Sequence, residues 1–282
     1  MPAIINQIRL VWLFIKSDYW AVFIPALTIG VAASAKDGLS FSLAAIKLAL
    51  VSIFALAYLL LHCLVSQVDS VDEDRINKPW RPLPAGRISL ESAVKARNLA
   101  IISFPLIGYL LDVFVQALIW ELTVILACYT HWTNNVFGKC SYSLIGALVL
   151  TGYWQIVAPM TAEVRDDFIL MGIATFFSIS VQDFRDKTGD LIAGRRTLPI
   201  LLGDGPSRLL CVAALASLPF VNYMITNPTM HNALSWAAFS LPTACAAVSA
   251  LFLFVRRNKR TDHLAYRFLE CWFALSFLGM AF

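Results

Sequence analysis

Nine stretches of this chain stay apolar for fourteen to twenty-two residues each: Tyr19–Ala35, Leu48–Val65, Ala96–Leu111, Phe114–Tyr129, Tyr142–Met160, Phe168–Val181, Leu209–Thr226, Leu234–Val255 and Leu264–Phe282. A helix needs about 20 apolar residues to cross the hydrocarbon of a bilayer, where an unpaired backbone group finds no partner. The third, fourth and sixth runs are short and must borrow flanking residues or be shielded by neighbouring helices. Only 14% of the 282 residues are charged while 59% are hydrophobic, where a soluble domain carries about 25% charged. This excludes a water-facing globule, a disordered chain, a coiled coil, a collagen and a disulfide-stapled secreted module. The expectation is an all-α polytopic membrane protein with nine transmembrane helices.

Charge placement gives the topology. Nineteen of the 22 Lys and Arg residues fall in the N-terminal segment, in the connections after the second, fourth, sixth and eighth runs, or at the edges of the runs that follow them; the exceptions are Lys36, Lys47 and Arg165. Cationic loops stay inside, so the N-terminus is expected in the cytoplasm and the C-terminus across the membrane. Ala33-Ser34-Ala35 imitates a cleavage site, but the chain beyond it is equally apolar, so a retained first span is expected. The six cysteines lie mostly inside apolar runs without a C-x-x-C pair, as cysteines used for packing do.

Two connections, Ser66–Lys95 and Gln182–Arg208, are long and rich in both charge signs. In the second, Asp183, Asp186 and Asp190 stand at i, i+3 and i+7, one face of a helix continuing from the sixth run. Carboxylates so grouped repel unless a cation sits among them, and oxygen donors suit Mg²⁺, which completes its shell with water and substrate phosphate. Arginines alongside are suited to phosphate oxygens. The first connection repeats the plan 116 residues earlier, with Gln67, Ser70 and Asp74 in the corresponding places and a basic, proline-containing turn following each triplet. One domain, 1–282, with pseudo-repeated halves carrying motifs at 66–87 and 182–199, is expected to grip a diphosphate between them. Mere solvated loops would have no reason to share that spacing on the same side.

Asp74-Arg75-x-Asn77-Lys78-Pro79-x-Arg81-Pro82-x-Pro84-x-Gly86, taken with Gln182-Asp183-x-x-Asp186-x-x-Gly189-Asp190-x-x-x-Gly194-Arg195-x-Thr197-x-Pro199, resembles the UbiA superfamily of intramembrane prenyltransferases, over nearly the whole chain. The resemblance implies nine helices around a central, lipid-open cavity with a cytoplasmic cap, and an isoprenoid diphosphate bound through Mg²⁺. One departure stands out. The family's N-D-x-x-D-x-x-x-D falls here on Ser66-Gln67-x-x-Ser70-x-x-x-Asp74, so two of three carboxylates are replaced. Gln67 with Glu73-Asp74 before Asn77-Lys78-Pro79-Trp80-Arg81-Pro82 is similar to the fungal branch that includes UbiA-type terpene cyclases such as the bergamotene synthase.

The function expected from this resemblance is ionisation of an isoprenoid diphosphate, farnesyl diphosphate as the natural guess, and cyclisation of the cation to a sesquiterpene hydrocarbon. Asp74, Asp183, Asp186 and Asp190 are assigned to catalysis and metal binding, with Glu73 as a further metal ligand. Gln67, Asn77, Lys78, Arg81, Arg195 and Lys139 are assigned to the diphosphate. Rival expectations are an aromatic or quinone prenyltransferase and a non-catalytic scaffold or transporter. Aromatic faces suit a cyclising cation; Tyr58, Tyr129, Tyr142, Tyr153, Trp154, Phe176 and Phe177 are candidates. Among intramembrane polar residues, His62 suits proton handling or helix–helix hydrogen bonding, Glu121 proton acceptance or a neutral hydrogen-bonded role in the bundle, and Asn134 and Asn135 a diphosphate contact or, by preference, a helix cap. The bilayer and the diphosphate are the expected partners, with no nucleic acid and no obligate protein partner; in a eukaryote the membrane would be the endoplasmic reticulum.

Overall fold

The computed structural model describes residues 2–227, 232–255 and 257–282, without the side chains of 2–5 and 77. Arg256, counted above among the cations, and the side chain of Asn77, assigned to the diphosphate, lie outside the described set. Among the described residues the chain is helical with no strand: α1 (Pro2–Ile15), α2 (Tyr19–Lys36), α3 (Phe41–Asp69), α4 (Val71–Asn77), α5 (Leu90–Leu110), α6 (Phe114–Thr130), α7 (Val136–Val149), α8 (Thr151–Val157), α9 (Ala162–Ser178), α10 (Asp183–Ile192), α11 (Leu198–Leu201), α12 (Asp204–Thr226), α13 (Ala233–Val255) and α14 (Lys259–Ser276). The nine apolar runs fall on α2, α3, α5, α6, α7–α8, α9, α12, α13 and α14 with its closing turn. Six helices among the described residues are long and apolar enough to cross a membrane: α2, α3, α7–α8, α12, α13 and α14 with that turn.

Polar punctuation sets the starts. Ser89 and Asn135 accept from the backbone N–H groups of Ser92 (3.2 Å) and Gly138 (2.9 Å), and Asn258 forms a capping box with Thr261. Each cap satisfies an N–H that has no partner within its helix; Asn135 thus takes the capping role expected of it. Neighbouring helices pack in the sequence α2, α3, α5, α6, α7, α9, α12, α13, α14 and back to α2, closing a ring. Small residues permit the close crossings. A Cβ on Gly108 of α5 would stand 2.4 Å from Ala117 Cβ of α6, and one on Gly279 2.4 Å from Thr226 Oγ1 of α12. Outward faces carry apolar side chains such as Ile102, Leu110, Leu209 and Phe254, as a lipid-facing surface does. All six cysteines are free.

Buried polar ties lock the second half. Arg208 of α12 donates to both carboxylate oxygens of Asp262 (2.7 and 3.0 Å) and to the Leu253 carbonyl (3.1 Å), joining α12, α13 and α14. Asn222 accepts from Trp272 and Ser276 and donates to Thr243. At 29 residues, α3 is about 43 Å long, more than the roughly 30 Å hydrocarbon layer. Its last turns therefore carry the Ser66–Asp69 segment to the polar end of the ring, where α4 packs against α10.

Candidate active site

A cavity of about 360 Å³ opens within the ring. The phase of α3 and the break after it decide which motif residues reach it. Ser66, Asp69 and Ser70 line the cavity, while Gln67 is fully buried on another side of the helix and donates to the Phe14 carbonyl at 2.8 Å. At Ser70 the backbone leaves helical geometry (φ −108°, ψ 28°) and α4 begins. The restart brings Glu73 to the cavity and turns Asp74 from it. Asp74, 2% exposed, accepts from Arg81 Nη1 at 2.9 and 2.8 Å, and Arg81 Nη2 reaches Asp18 at 3.2 Å. The expectation from sequence puts Asp74 at the metal and Gln67 and Arg81 at the diphosphate; in the structure all three are absent from the cavity lining and are hydrogen-bonded to protein groups beside it.

The second motif follows the same plan. A 3₁₀ turn, Ile179–Gln182, sets off α10 from α9, and of the three aspartates on α10 two face the cavity. Gln182, Asp186 and Asp190 line the cavity, whereas Asp183 is fully buried and bonded to Lys139 of α7. Ser66 and Gln182, 116 residues apart, line the cavity, as do Ser70 and Asp186, while Gln67 and Asp183 take partners elsewhere; Asp74 and Asp190 differ, Asp190 alone lining it. Of the expected phosphate contacts, Lys78, Lys139 and Arg195 line the cavity. Arg195 joins the two motifs, with Nη2 2.7 Å from Glu73 and Nη1 3.3 Å from Asp190. A parallel bridge between Asn135 and Arg196 holds that segment against the start of α7.

The charges settle one another unevenly. Burial works to raise the Asp186 carboxyl, but Arg185, Lys78 and Lys139 outweigh it and hold the group below the ordinary carboxylate range. At Asp18 the balance is the same: burial is outweighed by Arg81 and Lys78. Asp190 goes the other way, pushed up to about 6 by burial against the pull of Lys139 and Arg195. Lys78 is lowered by burial and by the Arg81 charge.

Among the described residues no group of three or more His, Cys, Asp or Glu side chains is gathered closely enough to hold a metal ion. The five-carboxylate set expected from the sequence is therefore not assembled as such. Mg²⁺ needs fewer: one or two carboxylates suffice when phosphate and water complete its shell. Asp186 and Asp190, one turn apart on the wall, fit that requirement, and Asp190 Oδ2 is buried without a hydrogen-bond partner.

Deeper in, the lining turns aromatic. Tyr58 of α3 stacks on Trp120 of α6 at 4.2 Å with planes 5° apart, and Trp120 meets Tyr142 of α7 at 5.3 Å. Tyr142 Oη lies 2.7 Å from His62 Nδ1. Tyr58 and Tyr142 were candidates from the sequence, whereas Tyr153 and Trp154 are packed in the core and Tyr129 is exposed. Trp120, Tyr266, Glu270 and Asp18 also line the cavity, and no local spacing in the sequence singles them out. Glu121, buried on α6 with Oε2 unpartnered, is absent from the lining.

Comparison with known proteins agrees with this architecture. The chain is 32% identical to the somaliensene A/B synthase of Streptomyces somaliensis over 277 residues, covering 96% of this chain and 91% of that one. It is 23% identical to the fumagillin β-trans-bergamotene synthase of Aspergillus fumigatus, covering 98% and 91%. The solved structure of a UbiA homologue from Archaeoglobus fulgidus bound to GPP and Mg²⁺ superposes with a TM-score of 0.66 at 11% identity, covering 97% of this chain and all of that one. The model of the UbiA prenyltransferase family matches residues 22–274, and the chain, a multi-pass membrane enzyme, belongs to that family.

Proposed function

We propose that the chain is a Mg²⁺-dependent terpene cyclase that ionises an isoprenoid diphosphate, with farnesyl diphosphate as the expected substrate, and cyclises the cation to a hydrocarbon. The observation that carries this is one cavity with two chemistries: Glu73, Lys78, Lys139, Asp186, Asp190 and Arg195 at its polar end, and Tyr58, Trp120 and Tyr142 below. The near full-length likeness to a somaliensene synthase supports the same reading. Asp186 and Asp190, with Glu73 across the cavity, would hold Mg²⁺. The ion supplies Lewis-acid neutralisation of the departing diphosphate. Lys78, Lys139 and Arg195 would bind its oxygens and stabilise the charge that develops there. Asp74, Gln67, Arg81 and Asp183 hold the frame: each is buried and bonded to an element that fixes α3, α4 or α10. The aromatic faces stabilise the cation, each by about 0.5–2 kcal/mol, and exclude water.

Nine spans in two pseudo-repeated halves, with α4 and α10 as a cytoplasmic cap and the N-terminus in the cytoplasm, complete the proposal. The shared offset of 116 residues and the positive-inside tendency support it. A second reading is transfer of the isoprenoid to an acceptor, favoured by the description of the matching family as prenyltransferases. Membranes containing the protein, given farnesyl diphosphate and Mg²⁺ without acceptor, are expected to release a cyclic hydrocarbon. Product that forms only with a phenolic acceptor would replace the first reading by the second. In Asp186→Ala and Asp190→Ala, turnover should fall by at least about 100-fold, the scale of losing one electrostatic stabiliser, with expression maintained.

A further inference from the structure

A cyclisation that ends in a hydrocarbon must lose a proton, and the polar end of the cavity is crowded with cations. The proton acceptor is better sought deeper. His62 and Tyr142 are the paired titratable groups there, contributed by different helices and joined at 2.7 Å between Nδ1 and Oη. Both line the cavity. Counting 1.5 Å per residue along α3, His62 lies about 6 Å below Ser66, between the diphosphate end and the Tyr58–Trp120 stack. Trp120 is 5.8 Å from the His62 ring and 5.3 Å from that of Tyr142, so the pair borders the faces suited to hold the cation.

Resting on the cyclase reading above, we infer that Tyr142 and His62 form the proton relay that ends the cyclisation. In the tautomer with its proton on Nε2, His62 Nδ1 accepts the Tyr142 hydroxyl. A C–H bond beside the last cationic carbon breaks and its electron pair becomes the new C=C bond. That proton passes to Tyr142 Oη as the hydroxyl's own proton moves to Nδ1, leaving a neutral alkene and an imidazolium. The imidazolium shares the cavity with the Asp18 carboxylate, which Arg81 and Lys78 keep ionised against its burial. The proton then leaves toward the diphosphate at the mouth. Glu270 is the competing base: it lines the same cavity with Oε1 buried and unpartnered. Its other oxygen is held by Arg267 at 2.6 Å, which ties it to the cationic side.

The test reads hydrocarbon formed per diphosphate released, so that ionisation and proton loss are measured separately. Tyr142→Phe and His62→Gln should each lower that ratio at least tenfold, with alcohols from water capture making up the difference. Glutamine can still accept the Tyr142 hydroxyl but cannot take its proton, so a purely structural His62 would be rescued by it. An unchanged ratio in both variants overturns the relay and leaves the cyclase intact. A collapse in Glu270→Gln alone moves the base to α14 and overturns the relay likewise. Failure of the wild-type protein to release diphosphate from any C10 to C20 isoprenoid diphosphate would remove the cyclase reading and the relay with it.

Discussion

Removing the Arg81 guanidinium tests whether the first motif is frame or ligand. Asp74 is 2% exposed and Arg81 5%, and the same guanidinium holds Asp18 at 3.2 Å. Arg81→Leu therefore strands one carboxylate in the packed interior and leaves a second facing it. Removing one partner of a buried pair costs about 3–5 kcal/mol, whereas replacing both by apolar residues of similar volume is often close to neutral. The upper half of that range is expected here, because two acids lose one base. Asp74→Leu with Arg81→Leu should recover most of the loss, giving a coupling of at least about 2 kcal/mol in a double-mutant cycle. Unfolding from mild detergent into increasing SDS, followed by tryptophan fluorescence, measures all four corners. Asp74→Asn should lower stability while leaving the Mg²⁺ concentration for half-maximal diphosphate release within about twofold. Additive losses would refute the pairing. A tenfold rise in that Mg²⁺ requirement with unchanged stability would make Asp74 a ligand after all.

Asp190 gives a pH dependence. Its folded-state pKa of about 6 lies above the ordinary 3.8, so in the metal-free protein its contribution to stability is full below about 4 and is lost as pH rises through 6. Metal binding runs oppositely, because the ligand must be deprotonated; apparent Mg²⁺ affinity, read by calorimetry in nanodiscs, should weaken by up to about tenfold per pH unit below 6. A flat profile from pH 5 to 7 would remove Asp190 from the ligand set. Gly279→Val puts a Cβ 2.4 Å from Thr226 Oγ1 and should cost about 1–3 kcal/mol by overpacking, seen in the same SDS titration; a neutral result would mean that the α12 contact is not close.

Much of the molecule was legible in one dimension. An apolar run must become a helix in lipid, so the class, the nine helical stretches and the polar connections followed from composition and length. The two motifs also announced themselves, because carboxylates and cations at repeated spacing have few other uses at a membrane edge. What no spacing shows is helical phase across a break. Ser70 resets it between α3 and α4, which puts Glu73 in place of Asp74 on the cavity wall, and the Ile179–Gln182 turn sets how α10 as a whole is presented, with Asp183 against Lys139 and Asp186 and Asp190 on the cavity. Nor does sequence show the aromatic wall, since Tyr58, Trp120 and Tyr142 come from three helices and meet only when the ring closes. Hydrophobicity acts on each residue separately and can be read from a string; directional contacts between distant residues exist only once packing has fixed the angle between their helices.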